Sequence, residues 1–131
     1  MNPVVNIVLA RSDGDCAIVV LAMYLGRSYE DVLGQAAQLD AEIHRRGMWV
    51  HQIERTAKAL GVPLRRRRSY DLEEDDGILS LDSTNGEAAH VVLLRAGLIF
   101  NVNGTVWEPD VYLSHEKYAP KCLLVRKNDE P

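Results

Sequence analysis

Ser12-Asp13-Gly14-Asp15-Cys16-Ala17 runs directly into the apolar stretch Ile18-Val19-Val20-Leu21-Ala22-Met23-Tyr24-Leu25. A turn-forming Asp-Gly-Asp group ahead of residues with almost no polar face predicts a helix from Asp15 to Leu25, buried on most sides and central to the fold. Cys16 then stands at the helix N-terminus. There the unpaired N–H groups of the first turn and the positive end of the macrodipole favour thiolate over thiol and lower the cysteine pKa. A cysteine so placed is either a nucleophile or a small buried hydrophobe. The choice between the two turns on whether the rest of the chain supplies a base.

Outward from this helix, Val4 to Leu9 is a short β-branched run, read as a strand or extended segment leading to the Cys16 turn. On the other side, Gly26 is placed to end the helix, and Ser28 with Asp31 reads as the capping box of a second helix from Tyr29 to about Ile43. Val32, Leu33, Ala36, Ala37, Leu39 and Ile43 form its apolar stripe. Gly47 stops it. Trp49 to Leu60 gives a third helix, punctuated by Gly61 and Pro63.

Beyond Pro63 the pattern turns short and extended. Val62 to Arg67 reads as an edge strand guarded by charge. Arg65 to Arg68 and the acidic run Glu73 to Asp76 read as neighbouring solvated segments of opposite sign, the alternative being a groove for an anionic substrate or partner. Strands are expected at Gly77 to Asp82, Ala89 to Arg95, Leu98 to Val102 and Thr105 to Glu108, with a polar loop at Ser83 to Glu87 and a hairpin at Asn103-Gly104. Pro109 opens a short helix to about Lys117. Lys121 to Lys127 closes as a last strand. Helices first and an antiparallel meander second define the α+β class.

Composition bounds the rest. With 131 residues, 47% hydrophobic and 26% charged, the chain suits one domain, residues 1–127, with 128–131 as a disordered tail. No signal peptide or apolar run of bilayer length is present, so a soluble, cytoplasmic protein is expected. Two cysteines, Cys16 and Cys122, make no disulfide framework, and no CxxC or HExxH pair offers a metal site. No cofactor is implied. A net charge of −4 argues against nucleic acid as the main ligand. Oligomeric state is not encoded legibly.

Of four histidines, His44, His51 and His115 lie in polar surroundings and are expected to face solvent. His90 opens the strand His90-Val91-Val92-Leu93-Leu94 behind a loop of small residues. If Ala96-Gly97 is a two-residue turn, Arg95 pairs with Leu98, Val92 with Asn101 and His90 with Asn103. Alternation then puts His90, Asn101 and Asn103 on one face. An amide that holds one ring nitrogen leaves the other for a thiol, the arrangement of a thiolate–imidazolium nucleophile.

The Asp-Cys pair before an apolar helix with a downstream Leu-Ala-Met, then His-Val-Val-Leu-Leu, a glycine turn, Leu-Ile-Phe-Asn and a closing hydrophobic strand resembles the papain-like cysteine peptidases. Within them the chain is similar to the bacteriocin-processing (double-glycine leader) peptidase-like group and its compact phage or bacterial relatives, from about Val4 to Val125. The resemblance implies a papain-like fold, with the nucleophile on a central helix packed on a C-terminal antiparallel sheet. It also implies a peptide or protein substrate in a bacterial cell or phage-infected host. Cys16 matches the nucleophile, His90 the general base and acid, and Asn101 the orienting third member. Asn103 is the rival for that third role, and Glu108 before Pro109 a weaker one. Trp107 is a candidate groove residue, whereas Trp49 and Cys122 are expected to pack.

Active relatives place a glutamine about six residues before the cysteine, where its amide helps to bind the oxyanion; here Ala10 stands at that spacing. The Cys16 N–H can supply one donor, and Ser12 or Asn6 is a candidate for the second. The function expected is a thiol hydrolase that cleaves a peptide or isopeptide bond. The alternatives are an inactive or weakly active binding or accessory protein, and an acyl transferase or deamidase using the same triad.

Overall fold

The computed structural model describes residues 5–12, 14–82, 90–116 and 118–127. Asp13, the expected loop at 83–87, the expected strand start at Ala89, Lys117 and the tail lie outside the described residues. Four helices come first: α1 (Cys16–Leu25), α2 (Tyr29–Ala36), α3 (Ile43–Arg46) and α4 (Val50–Ala59). The strands β1 (Leu64–Arg67), β2 (Gly77–Asp82), β3 (His90–Arg95), β4 (Leu98–Phe100) and β5 (Val106–Trp107) follow, then α5 (Pro109–Glu116) and β6 (Ala119–Arg126). The class is α+β, helices against an antiparallel sheet.

Helix α1 is enclosed all round, as its uniformly apolar sequence requires: no residue from Ala17 to Leu25 is more than 9% exposed. Gly26 ends it in the left-handed region at φ 67°, and the Arg27 N–H closes on the Ala22 carbonyl at 3.0 Å. Ser28 caps α2 by accepting from the Asp31 N–H at 3.1 Å. That helix is shorter than the apolar stripe predicts. Asp40 begins a new turn instead, its Oδ1 accepting from the Glu42 N–H at 3.0 Å and its carbonyl from the Ile43 N–H, so Ile43 belongs to α3. Trp49, expected in the core, stands at the N-cap of α4 and is 62% exposed. Ile53, Thr56 and Ala57 turn inward from that helix.

Among the described residues the strands run in the order β1-β6-β2-β3-β4-β5, and each of these pairings is antiparallel. β1 is an edge, as its arginines suggest. β6 is inserted between β1 and β2, a placement that only a long-range return could make. In the β3–β4 hairpin, Ala96 and Gly97 sit at φ 53° and 77°, and the register Arg95↔Leu98, Leu94↔Ile99, Leu93↔Phe100 is the expected one. The next hairpin departs from the two-residue Asn-Gly turn. Asn101 pairs with Thr105 through the Asn101 N–H, the Gly104 N–H returns to the Asn101 carbonyl at 3.0 Å, and only Gly104, at φ 86°, is left-handed. That is a three-residue loop with a glycine bulge. Residues 5–10 form no regular strand; the Ala10 N–H is tied to the Val102 carbonyl at 3.0 Å.

The sheet has two cores. α1 covers an inner one containing Val91, Leu93, Phe100, Cys122 and Leu124. α5, through Tyr112, covers an outer one containing Leu79, Val92, Leu94, Ile99 and Leu123. No helix among the described residues is long and apolar enough to cross a membrane. Because α1 unites the helices and the inner face, Leu21→Ala is expected to cost about 2–5 kcal/mol, read from the denaturant midpoint.

Candidate functional site

The turn before α1 is built on Asp15, whose carboxylate is 1% exposed. Its Oδ2 accepts from the Arg11 N–H at 2.8 Å, the Ser12 N–H at 3.2 Å and the Tyr29 hydroxyl at 2.6 Å. Three donors on one oxygen fix the approach of residues 11–15 to the helix, and with it the position of Cys16. The Arg11 guanidinium lies 4.1 Å from the Tyr29 ring centre, closing this knot from outside. Burial and the Asp15 carboxylate together push the Tyr29 hydroxyl up to about 12. Gly14 leaves no room for a side chain, because a Cβ there would collide with the Arg45 backbone.

Cys16 is partly buried, and its thiol is within hydrogen-bonding reach of the N–H groups of Val91, Ala17 and Cys16 itself. The Val91 amide matters most for placement: it belongs to the residue after His90, so the head of α1 abuts the start of β3. The helix-terminus argument predicts a lowered cysteine pKa. Burial outweighs it and pushes the Cys16 thiol above its ordinary 9.0, with the Asp15 charge adding to the rise and the backbone amides opposing it.

His90 shares its sheet face with Val92 and Leu94, which belong to the outer core, and its ring stacks on Tyr118 with centroids 5.3 Å apart. The thiol therefore reaches the end of β3 from the inner side and the imidazole from the outer. Tyr112, an outer-core residue, is within electrostatic range of Cys16. The thiol's hydrogen-bonding neighbours are backbone amides; none is the ring of His90. Burial lowers the His90 pKa below 6.5, while Asn101, within hydrogen-bonding reach of the ring, and the Glu116 charge draw it back upward. Raised thiol and lowered imidazole make the resting pair neutral at pH 7.

The remaining candidates fall elsewhere. Asn103 is exposed and spends its Oδ1 on the Thr105 N–H at 3.0 Å and hydroxyl at 2.6 Å, holding the glycine-bulge loop. Ser12 donates its hydroxyl to the His44 carbonyl at 2.7 Å, and Asn6 is exposed. Trp107 donates to Thr105 Oγ1 at 2.8 Å and packs edge-on against Tyr112 and tilted against His115. Glu108 is exposed at the start of α5, where its carbonyl accepts from the Tyr112 N–H. Cys122 is buried against the inner core. His51 and His115 are exposed and His44 half-buried.

Two neighbours of the site escaped sequence reasoning. Tyr118 reaches His90 because Leu81 pairs with His90 on one side and Pro120 on the other, which carries the start of β6 to within one strand of the imidazole. Asp15 was legible as a turn former but not as a buried acceptor. Among the described residues, no group of three or more His, Cys, Asp or Glu side chains could hold a metal. No family model and no curated protein matches this chain.

Linkage gives these shifts a measurable sign. A His90 pKa lowered on folding stabilises the fold above 6.5 and loses that contribution as pH falls toward the folded value. A Cys16 pKa raised on folding contributes below 9.0 and loses it as pH rises toward the folded value. Stability measured by denaturation is thus expected to fall on both sides of this window, His90→Gln flattening the acid limb and Cys16→Ala the alkaline limb near 9.0.

Proposed function

We propose that this chain is a papain-like thiol hydrolase that cleaves a peptide or isopeptide bond, with Cys16 as nucleophile, His90 as base and acid, and Asn101 as the residue that orients the ring. The supporting observation is the meeting of the α1 thiol with the Val91 amide, one residue from an imidazole held within reach of Asn101. The neutral resting pair suits a base that acts during attack rather than a preformed ion pair. His90 takes the Cys16 proton as Sγ bonds to the carbonyl carbon. The oxyanion then draws on N–H groups in the first turn of α1, which have no partners within the helix. Collapse expels the amine, protonated by His90. Water deprotonated by the same ring then attacks the thioester, releasing the acid and restoring the thiol.

A peptide or protein of a bacterial or phage-infected cell is the substrate class that fits the family resemblance. The second reading, a papain-like accessory protein with an idle site, draws on Ala10. Its side chain offers no amide for an oxyanion, and its own N–H is occupied by the Val102 carbonyl. Loss of one such donor lowers a rate by ~100- to 1,000-fold. An acyl transferase or deamidase would share the first half of the reaction and differ in the acceptor.

An activated thiol ester or p-nitrophenyl ester separates these readings. Burst release with a matching acyl adduct on Cys16 by intact mass is expected. It should be absent in Cys16→Ala and slowed by ~100-fold or more in His90→Ala, the usual range for a general base. Asn101→Ala is expected to slow turnover less and to shift the pH–rate profile. If no adduct forms on Cys16, or if His90→Ala acylates as fast as the unaltered protein, the hydrolase reading falls and the accessory reading stands.

A further inference from the structure

Charge is divided unevenly along this chain. Of its 15 lysines and arginines, eight lie between Ile43 and Tyr70, and of its 19 carboxylates only Glu54 does. The fold keeps this basic segment together as α3, α4 and the edge strand β1. His51, Arg55 and Lys58 recur at helical spacing on the solvent side of α4, opposite the inward-facing Ile53 and Ala57.

A groove of about 320 Å³ runs between that helix face and the sheet edge, bordered by His51, Arg55 and Lys58, by Pro63 and Leu64, and by Lys127 beyond β6. Among the described residues that border it, the one carboxylate is already engaged: Glu54 Oε1 accepts from Arg66 Nη2 at 2.7 Å and Nε at 3.0 Å. Arg67 is likewise paired with Asp75 at 3.3 Å. Arg55, Lys58 and Lys127, by contrast, make no ion pair with any described residue. Alongside, among the described residues β1 is hydrogen-bonded to β6 on one side only, and the backbone of its other edge has no strand partner among them.

From these features we infer that the α4–β1 groove is a docking surface for an acidic, extended polypeptide segment of a partner protein. Its backbone adds to the free edge of β1, and its carboxylates meet Arg55 and Lys58 on the facing side of α4. Nucleic acid fits less well. Among the described residues, the groove border offers no Trp, Tyr or Phe ring on which a base could stack, and the other 18 carboxylates of the chain repel a long polyanion. The surface lies on the opposite edge strand from β5, with β6 and β2 between β1 and the His90 strand, so docking there is separable from chemistry at Cys16.

Fluorescence anisotropy of the full chain with a labelled peptide of alternating glutamate and threonine, about eight residues long to span a strand, tests this. Binding that weakens with added salt and falls by about tenfold or more in the Arg55→Ala/Lys58→Ala double variant is expected. Arg45→Ala, which removes a cation paired with Glu42 outside the groove, should leave the affinity unchanged. Equal binding by the double variant, tighter binding of a single-stranded oligonucleotide of the same charge, or preferential binding to phosphatidylserine vesicles would each overturn the proposal. Circular dichroism of the variants confirms that the solvent-facing substitutions leave the fold intact.

Discussion

Helix α1 has no side it can show to water, and that constraint governs the molecule. Nine consecutive residues, Ala17 to Leu25, are buried, each large aliphatic side chain contributing about 1.5–3 kcal/mol when fully removed from solvent. One layer cannot enclose a helix completely. α2 and α4 therefore close over it from one direction, and β3 and β2 support it from the other. The head of the helix is held by the Asp15 carboxylate, and its tail by Gly26 and by the Tyr24 hydroxyl, which accepts from the Arg126 N–H at 3.0 Å.

Positioning Cys16 is a by-product of this enclosure. A helix pressed against β3 brings its first residue to the Val91 amide, but the same burial strips solvent from the thiol. Desolvation favours the neutral form of both Cys16 and His90, so the features that place the two groups at one strand end also hold them uncharged. A helix terminus lowers a cysteine pKa only when the thiolate retains enough polar company. Here three backbone amides do not offset burial and the neighbouring Asp15.

The outer face of the sheet has a different character. Its packing under α5 includes a group of rings: Tyr112 stacks on Tyr118 at 6.4 Å, Trp107 meets Tyr112 at 5.8 Å, and His90 joins through Tyr118. His90 is thus held by its stacking on Tyr118 and by Asn101 within hydrogen-bonding reach. Its ring orientation depends on α5 and β6, elements remote from it in sequence.

Local pattern was enough to determine α1, its glycine stop, the Ser28 cap, the β3–β4 register and the sharing of a face by His90 and Asn101, because each rests on neighbours in the chain. The apolar stripe carries α2 past its observed end, since Asp40 can sit within a helix or begin one, and its backbone bonds decide the matter. Trp49 is expected to pack, yet as the cap residue of α4 it escapes the helix's buried stripe. The asparagine that serves the loop, Asn103, and the one that faces the imidazole, Asn101, became distinguishable only when the hairpin adopted a three-residue turn. The insertion of β6 between β1 and β2, the stacking of Tyr118 on His90 and the rise of the Cys16 pKa were decided by tertiary structure alone. Each depends on desolvation or on pairing between segments far apart in the chain, and neither quantity exists until the chain has closed upon itself.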